Sequence, residues 1–215
     1  MKKRKSFWGK LKVAARIFSK PFYASMDELL LEKQVGEEKD SFNRSSSITW
    51  RPATPADLEQ FAGFLPGFKI RLFRKRFEDR EYCLIGVEKE MIVHYCWLAM
   101  GEEYFDRETA FRIDLSSGKA YLYDAFTRPF FRNRGIYRAA IREAARLISS
   151  RGLTSLLVIV EKDNPPAIAA AVRSKFIHRA KIRYRRVLWF RQNRVETIPL
   201  AWEASKNGND LADNQ

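Results

Sequence analysis

The sequence predicts a mixed α/β domain, a sheet covered by helices, on three observations. Strand-like and helix-like segments alternate from about residue 48 onward. Two pairs of strand-like runs are joined by polar turns, and two helices with clear start signals each follow an apolar run late in the chain. With 215 residues, 46% of them apolar, the chain can bury one core of ordinary domain size.

The elements come in order along the chain. "SITW" is a short strand, and "TPADLEQFAGFL" opens a helix with Thr54 as N-cap and Pro55 in the first position. "KIRLFRKRFEDRE" reads as a second, more exposed helix. "EYCLIGVEKEMIVHYCWLAMG" is an antiparallel hairpin, in which Cys83 and Cys96 are expected to face each other, and "TAFRIDLSSGKAYLYDAFT" reads as another pair around Ser-Ser-Gly. A helix over 135–150 ends at Gly152, the apolar strand "TSLLVIV" comes next, and Asn164 with Pro165 starts the next helix. "HRAKIRYRRVLWF" is read as one long strand. The expected division is 1–47, a basic amphipathic helix and polar linker; 48–203, the folded domain; and 204–215, a disordered polar tail.

Charge narrows the partners. The net charge of +14 favours anions, and residues 1–20 carry eight Lys/Arg and no acid. Wound as a helix, Phe7, Trp8, Leu11, Ala14, Ala15 and Phe18 fall on one face, so residues 2–20 suit an anionic membrane surface; docking on the protein's own domain suits the pattern equally. Lys10, Lys12 and Arg16 interrupt any continuous apolar run, unlike a secretory signal. Two cysteines and no Cys/His cluster of ligand spacing give no disulfide framework and no metal site. The expected setting is cytoplasmic, with peripheral membrane association the additional expectation. In the basic strand Arg179, Lys181, Arg183 and Arg185 share one face, which reads as a solvated face or protected edge. No nucleic-acid motif accompanies the charge, so nucleic acid is not the expected partner.

The stretch "FTRPFFRNRGIYRAA" is the most informative. It places Gly135 between cations, after a strand and at the start of a helix. Unpaired N–H groups in a helix's first turn, reinforced by the helix dipole, form an anion site, and a glycine lets a phosphate approach the backbone. Arg132 and Arg134 are expected to add charge-assisted contacts.

The R-x-x-G-x turn, the preceding "FTRP" and the later "TSLLVIVEKDNPPAIAAAVRSKFI" resemble the coenzyme-A-binding half of the GNAT-superfamily N-acetyltransferases, best over 119–177 and plausibly over 48–200. The resemblance implies a mostly antiparallel central sheet whose middle strands splay apart. It implies acetyl-CoA as co-substrate and direct attack of an amine, of an acceptor not identified, on the thioester. By position, the backbone of Ala125, Phe126 and Thr127 would pair with the pantetheine arm, and an N–H near Phe126 would stabilise the oxyanion. The amides of Asn133, Arg134, Gly135, Ile136, Tyr137 and Arg138 would hold the pyrophosphate, with Asn164 contacting the coenzyme further along.

The chain departs from the family pattern at three places. Tyr137 stands where the family has glycine or alanine, altering the space beside the phosphates. Ala171 stands where members often carry a tyrosine that protonates the departing thiolate. No glutamate lies within "AYLYDAF" or "SLLVIV" to act as base, which leaves Asp124, His94 and Glu161 as alternative bases. Two functions remain open: an acyl-CoA-dependent N-acyltransferase, or a non-catalytic protein of the same fold that binds coenzyme A or an anionic surface.

Overall fold

A run of three leucines, Leu29 to Leu31, lies within the main sheet rather than in a lead-in segment. In a computed structural model, which describes residues 23–36, 47–106, 111–187 and 190–197, it belongs to β1 (Tyr23–Gln34). This strand pairs antiparallel with both β8 (Ser155–Glu161) and β9 (Ile177–Val187). The folded unit therefore takes in residues that the sequence assigns to the N-terminal segment. The amphipathic pattern over 7–18 and the 204–215 tail lie outside the described residues.

The remaining strands are β2 (Thr49–Pro52), β3 (Tyr82–Glu88), β4 (Met91–Met100), β5 (Glu103–Asp106), β6 (Phe111–Asp114), β7 (Lys119–Thr127) and β10 (Phe190–Thr197). The helices are α1 (Leu58–Ala62), entered by a 3-10 turn at Pro55–Asp57, α2 (Gly67–Glu78), α3 (Ile136–Ser149) and α4 (Pro165–Arg173). The main sheet runs β10-β9-β1-β8-β7-β4-β3-β2. Every adjacent pair in it is antiparallel except β7 and β8, which are parallel. A parallel pair needs a crossover, and α3 supplies it.

Both sheet faces are covered. On one side α3 presents Ala140, Ile141, Ala144 and Ile148, an i, i+3/i+4 stripe, to Leu84, Cys96, Leu122, Leu156 and Val158. On the other, Phe61 of α1 and Phe73 of α2 pack on Ile85, Tyr95, Trp97 and Tyr123. Phe73 meets Tyr95 and Trp97 edge to face with centroids 5.1 and 5.0 Å apart, a geometry worth roughly 0.5–1.5 kcal/mol per pair beyond buried area.

Three local expectations are corrected. The run 109–127 is not a hairpin: β6 pairs with β5 in a separate two-stranded sheet, while β7 joins the main sheet. The basic strand ends at Val187, and its continuation folds back as β10 on β9. Cys83 and Cys96 do not face each other, because the register sets Cys83 opposite Trp97 and Cys96 opposite Leu84. One offset residue sends the two thiols to opposite faces of the sheet.

Candidate active site

The site arises from one interrupted ladder. β7 and β8 pair from Lys119↔Ser155 to Leu122↔Val158, and there the pairing stops. Beyond that point they enclose a cleft of about 590 Å³, with α3 and α4 beginning at its rim. Main-chain groups of β7 on the β8 side thus lose their strand partner where Ala125, Phe126 and Thr127 line the cleft.

The turn before α3 fits an anion. Gly135 caps the helix with φ +74°, a left-handed conformation that favours glycine, and a Cβ built there would meet nothing within 4 Å. The space beside it belongs to the cleft. The first helical bond runs from Ala139 N–H to Gly135 O at 3.0 Å, so the first-turn amides of Ile136, Tyr137 and Arg138 precede the ladder. Asn133, Gly135, Ile136, Tyr137 and Arg138 all line the cleft. The Arg138 Nε is buried without a hydrogen-bond partner, a costly arrangement unless an acceptor arrives.

The two loop arginines differ from one another. Arg132 lines the cleft, donates from Nε to Thr127 O at 3.0 Å and lies over the Phe126 ring. Arg134 turns away: it donates to both carboxylate oxygens of Glu88 at 2.8 and 3.1 Å and is absent from the cleft lining. Its guanidinium is therefore not among the groups that face the cleft, contrary to the sequence expectation; the pairing holds Glu88 below the usual carboxylate range. At the opposite rim Asn164 also lines the cleft, its side chain accepting from Ala167 N–H at 3.3 Å as the cap of α4.

The three candidate bases all line the cleft but in unlike settings. Asp124 accepts from Lys69 Nζ at 2.7 and 2.8 Å and from Arg76 Nη1 at 2.7 Å. His94 is 1% exposed; its Nδ1 is 2.7 Å from Thr127 Oγ1 and its Nε2 has no partner. Burial pushes the imidazole pKa down to about 3, so it is neutral near pH 7. Glu161 is exposed at the end of β8, opposite Glu28 of β1. Tyr137 packs beside the core with its ring 6.1 Å from that of His94, and burial raises its hydroxyl pKa. Ala171 is wholly buried and does not reach the cleft.

Several cleft residues are not evident from the sequence. Glu28 comes from β1, whose placement depends on long-range pairing, while Arg173 closes α4. Lys69 and Arg76, the partners of Asp124, are legible in principle: with Phe73 they keep i, i+4, i+7 spacing, one helix face.

A mostly antiparallel sheet, opened between two parallel strands beside a glycine turn at a helix start, is the architecture of an acyl-coenzyme-A transferase fold. The chain belongs to the Acetyltransferase (GNAT) family, whose model matches residues 41–176. Among solved structures it is similar to a GCN5-related N-acetyltransferase from Sphaerobacter thermophilus, with 17% identity over 88% of this chain and 58% of that one, TM-score 0.54. A GNAT-family acetyltransferase from Colwellia psychrerythraea shares 15% identity over 77% and 58%, TM-score 0.53. AAC(6')-Iy, solved with the bisubstrate analogue CoA-S-monomethyl-acetylneamine, shares 16% over 61% and 92%, TM-score 0.50. The chain thus spans 58% of the length of each of the first two. No curated protein matches it.

Proposed function

We propose that the chain binds acetyl-CoA in the cleft between β7 and β8 and transfers the acetyl group to an amine by direct attack on the thioester. The observation that carries this reading is the opening of the cleft onto the unpaired first-turn amides of α3. Those amides and Gly135 take the pyrophosphate, with Arg138 and Arg132 supplying charge. The main chain of Ala125, Phe126 and Thr127 pairs with the peptide-like pantetheine arm, and Asn164 meets the coenzyme on the far rim. The family match and the coenzyme-A analogue in AAC(6')-Iy support this choice of ligand.

Attack requires an unprotonated amine. Asp124 has its carboxylate oxygens occupied by two cations, and His94 is too weak a base at a pKa of about 3. Glu161, exposed at the rim, is the candidate with free access to an incoming ammonium group. With Ala171 buried, no tyrosine from that position serves the thiolate, which leaves as the conjugate base of an acidic thiol. That same absence favours a second reading, a coenzyme-A-binding protein without turnover.

Isothermal calorimetry with acetyl-CoA at low salt tests binding, and absence of heat overturns the proposal. A screen of amines with labelled acetyl-CoA tests transfer: binding without labelled product from any amine supports the second reading. We further propose that residues 2–20 attach the protein to anionic membranes. No helix among the described residues is long and apolar enough to cross a membrane. Cosedimentation with anionic vesicles should fall when residues 2–20 are deleted, and unchanged recovery removes that proposal.

A further inference from the structure

We propose that Lys69 and Arg76 of α2 hold the cleft-facing main chain of β7 in its working shape, through Asp124 as a positioning residue. This rests on the acetyl-CoA reading above. The observations lie on the side of the sheet away from α3. β4 and β7 pair at Trp97↔Tyr123 and at Tyr95↔Phe126, so one residue of β4, Cys96, stands opposite two of β7, Asp124 and Ala125. That is a β-bulge, and Asp124 adopts φ +44° in it, a left-handed conformation unusual for a residue with a side chain.

A strained bulge persists only where its surroundings hold it. Here the reversal directs the Asp124 carboxylate onto α2, where it meets Lys69 Nζ at 2.7 Å and Arg76 Nη1 at 2.7 Å. Lys69 and Arg76 lie two helical turns apart, flanking the buried Phe73. Arg76 is itself immobilised: its side chain is 11% exposed, its guanidinium lies 4.9 Å from the Trp97 ring and 5.0 Å from Tyr123, and its Nε is 3.4 Å from Glu81. The anchor is thus rigid and reaches the bulge from behind. The same stretch of backbone, Asp124 to Phe126, lines the cleft.

The consequence concerns the thioester carbonyl and the adjoining pantetheine arm rather than the phosphates. The pyrophosphate contacts proposed above belong to the first turn of α3 and its loop, so they survive when the anchor is cut. A hydrogen bond from the bulge main chain to the carbonyl does not, because its direction depends on the bulge. Asp124 thereby acts through the backbone of its neighbours, not as the proton acceptor.

The test is the carbon resonance of [1-13C]acetyl-CoA bound to the full chain, with affinity measured in parallel by calorimetry. In the wild type the carbonyl resonance moves from its free position. In Asp124→Asn and Lys69→Met it returns at least about halfway towards the free position, while acetyl-CoA still binds through its phosphate contacts, more weakly as the pantetheine pairing of β7 loosens. Lys69→Met leaves Arg76 in place and decides the matter if Asp124→Asn gives no cooperative thermal transition. Asp124→Gly accepts the left-handed conformation but lacks the anchor, so it should behave like Asp124→Asn. A wild-type resonance at the free position, or an unchanged shift in the folded variants, overturns the anchor while leaving acetyl-CoA binding intact. Absence of acetyl-CoA binding by the wild type removes the functional reading and this inference together.

Discussion

The two halves of β7 share alanine and tyrosine but lie in opposite surroundings. Residues 120–122 are paired on both sides, by β4 and β8, and are buried. Residues 123–127 keep β4 alone, contain the bulge, and turn their other edge to the cleft. The first half supplies stability; in the proposed function the second half supplies the binding surface, because a main chain can satisfy a ligand only where it has no strand partner. One strand therefore carries both roles in sequence, and the point of transition is the last β8 pair, Leu122↔Val158.

The largest expected effect breaks the paired half. Leu156, opposite Ala120, is fully buried, and Leu156→Ala should cost about 2–5 kcal/mol in a urea unfolding curve. Acetyl-CoA affinity measured well below the transition should hold. If affinity collapses with stability, the two halves are not separable. The second test acts on the open half from its loop: Gly135→Asp should weaken acetyl-CoA at least about a hundredfold by titration, through repulsion and intrusion into the phosphate space, with a smaller loss of stability.

The third test uses His94, which joins β4 to the end of the open half through Thr127. Its pKa is depressed by burial to about 3 from 6.5, so the folded state holds it neutral. The stability this contributes is present above pH 6.5 and is lost as pH falls towards 3, by at most about 1.4 kcal/mol per pH unit. Urea curves between those limits should lose that component of the slope in His94→Gln, and an unchanged slope would show that the imidazole is hydrated. The smallest effect is expected from Arg134→Ala, which should change acetyl-CoA affinity less than about threefold, since the guanidinium is turned to Glu88. A larger loss would place Arg134 in the cleft when ligand is bound.

Legibility tracks the range of the interactions. The glycine turn, the Asn164 cap and the amphipathic stripe of α3 depend on neighbours within a few residues, and all are readable from the chain. The strand character of residues 23–34 is not, because "YASMDELLLEKQ" carries charges at both ends of a short apolar run and becomes a central strand only between β8 and β9. The pairing of β6 with β5 and the offset of Cys83 from Cys96 depend on register, which a polar turn in the sequence does not specify.

Asp124 and Arg134 show the same division within the site. Position in the chain puts both near the cleft, and charge alone suggests a role for each. The fold supplies Asp124 with two cations from α2 and Arg134 with Glu88 from β3, altering what each group has left to offer a ligand. By itself the sequence determined that a glycine turn opens a helix after a strand, since backbone conformation and capping are local. The tertiary structure alone decided that the strand is unpaired beside that turn and that its bulge sets Asp124 against two cations of α2, since those facts arise where distant segments meet.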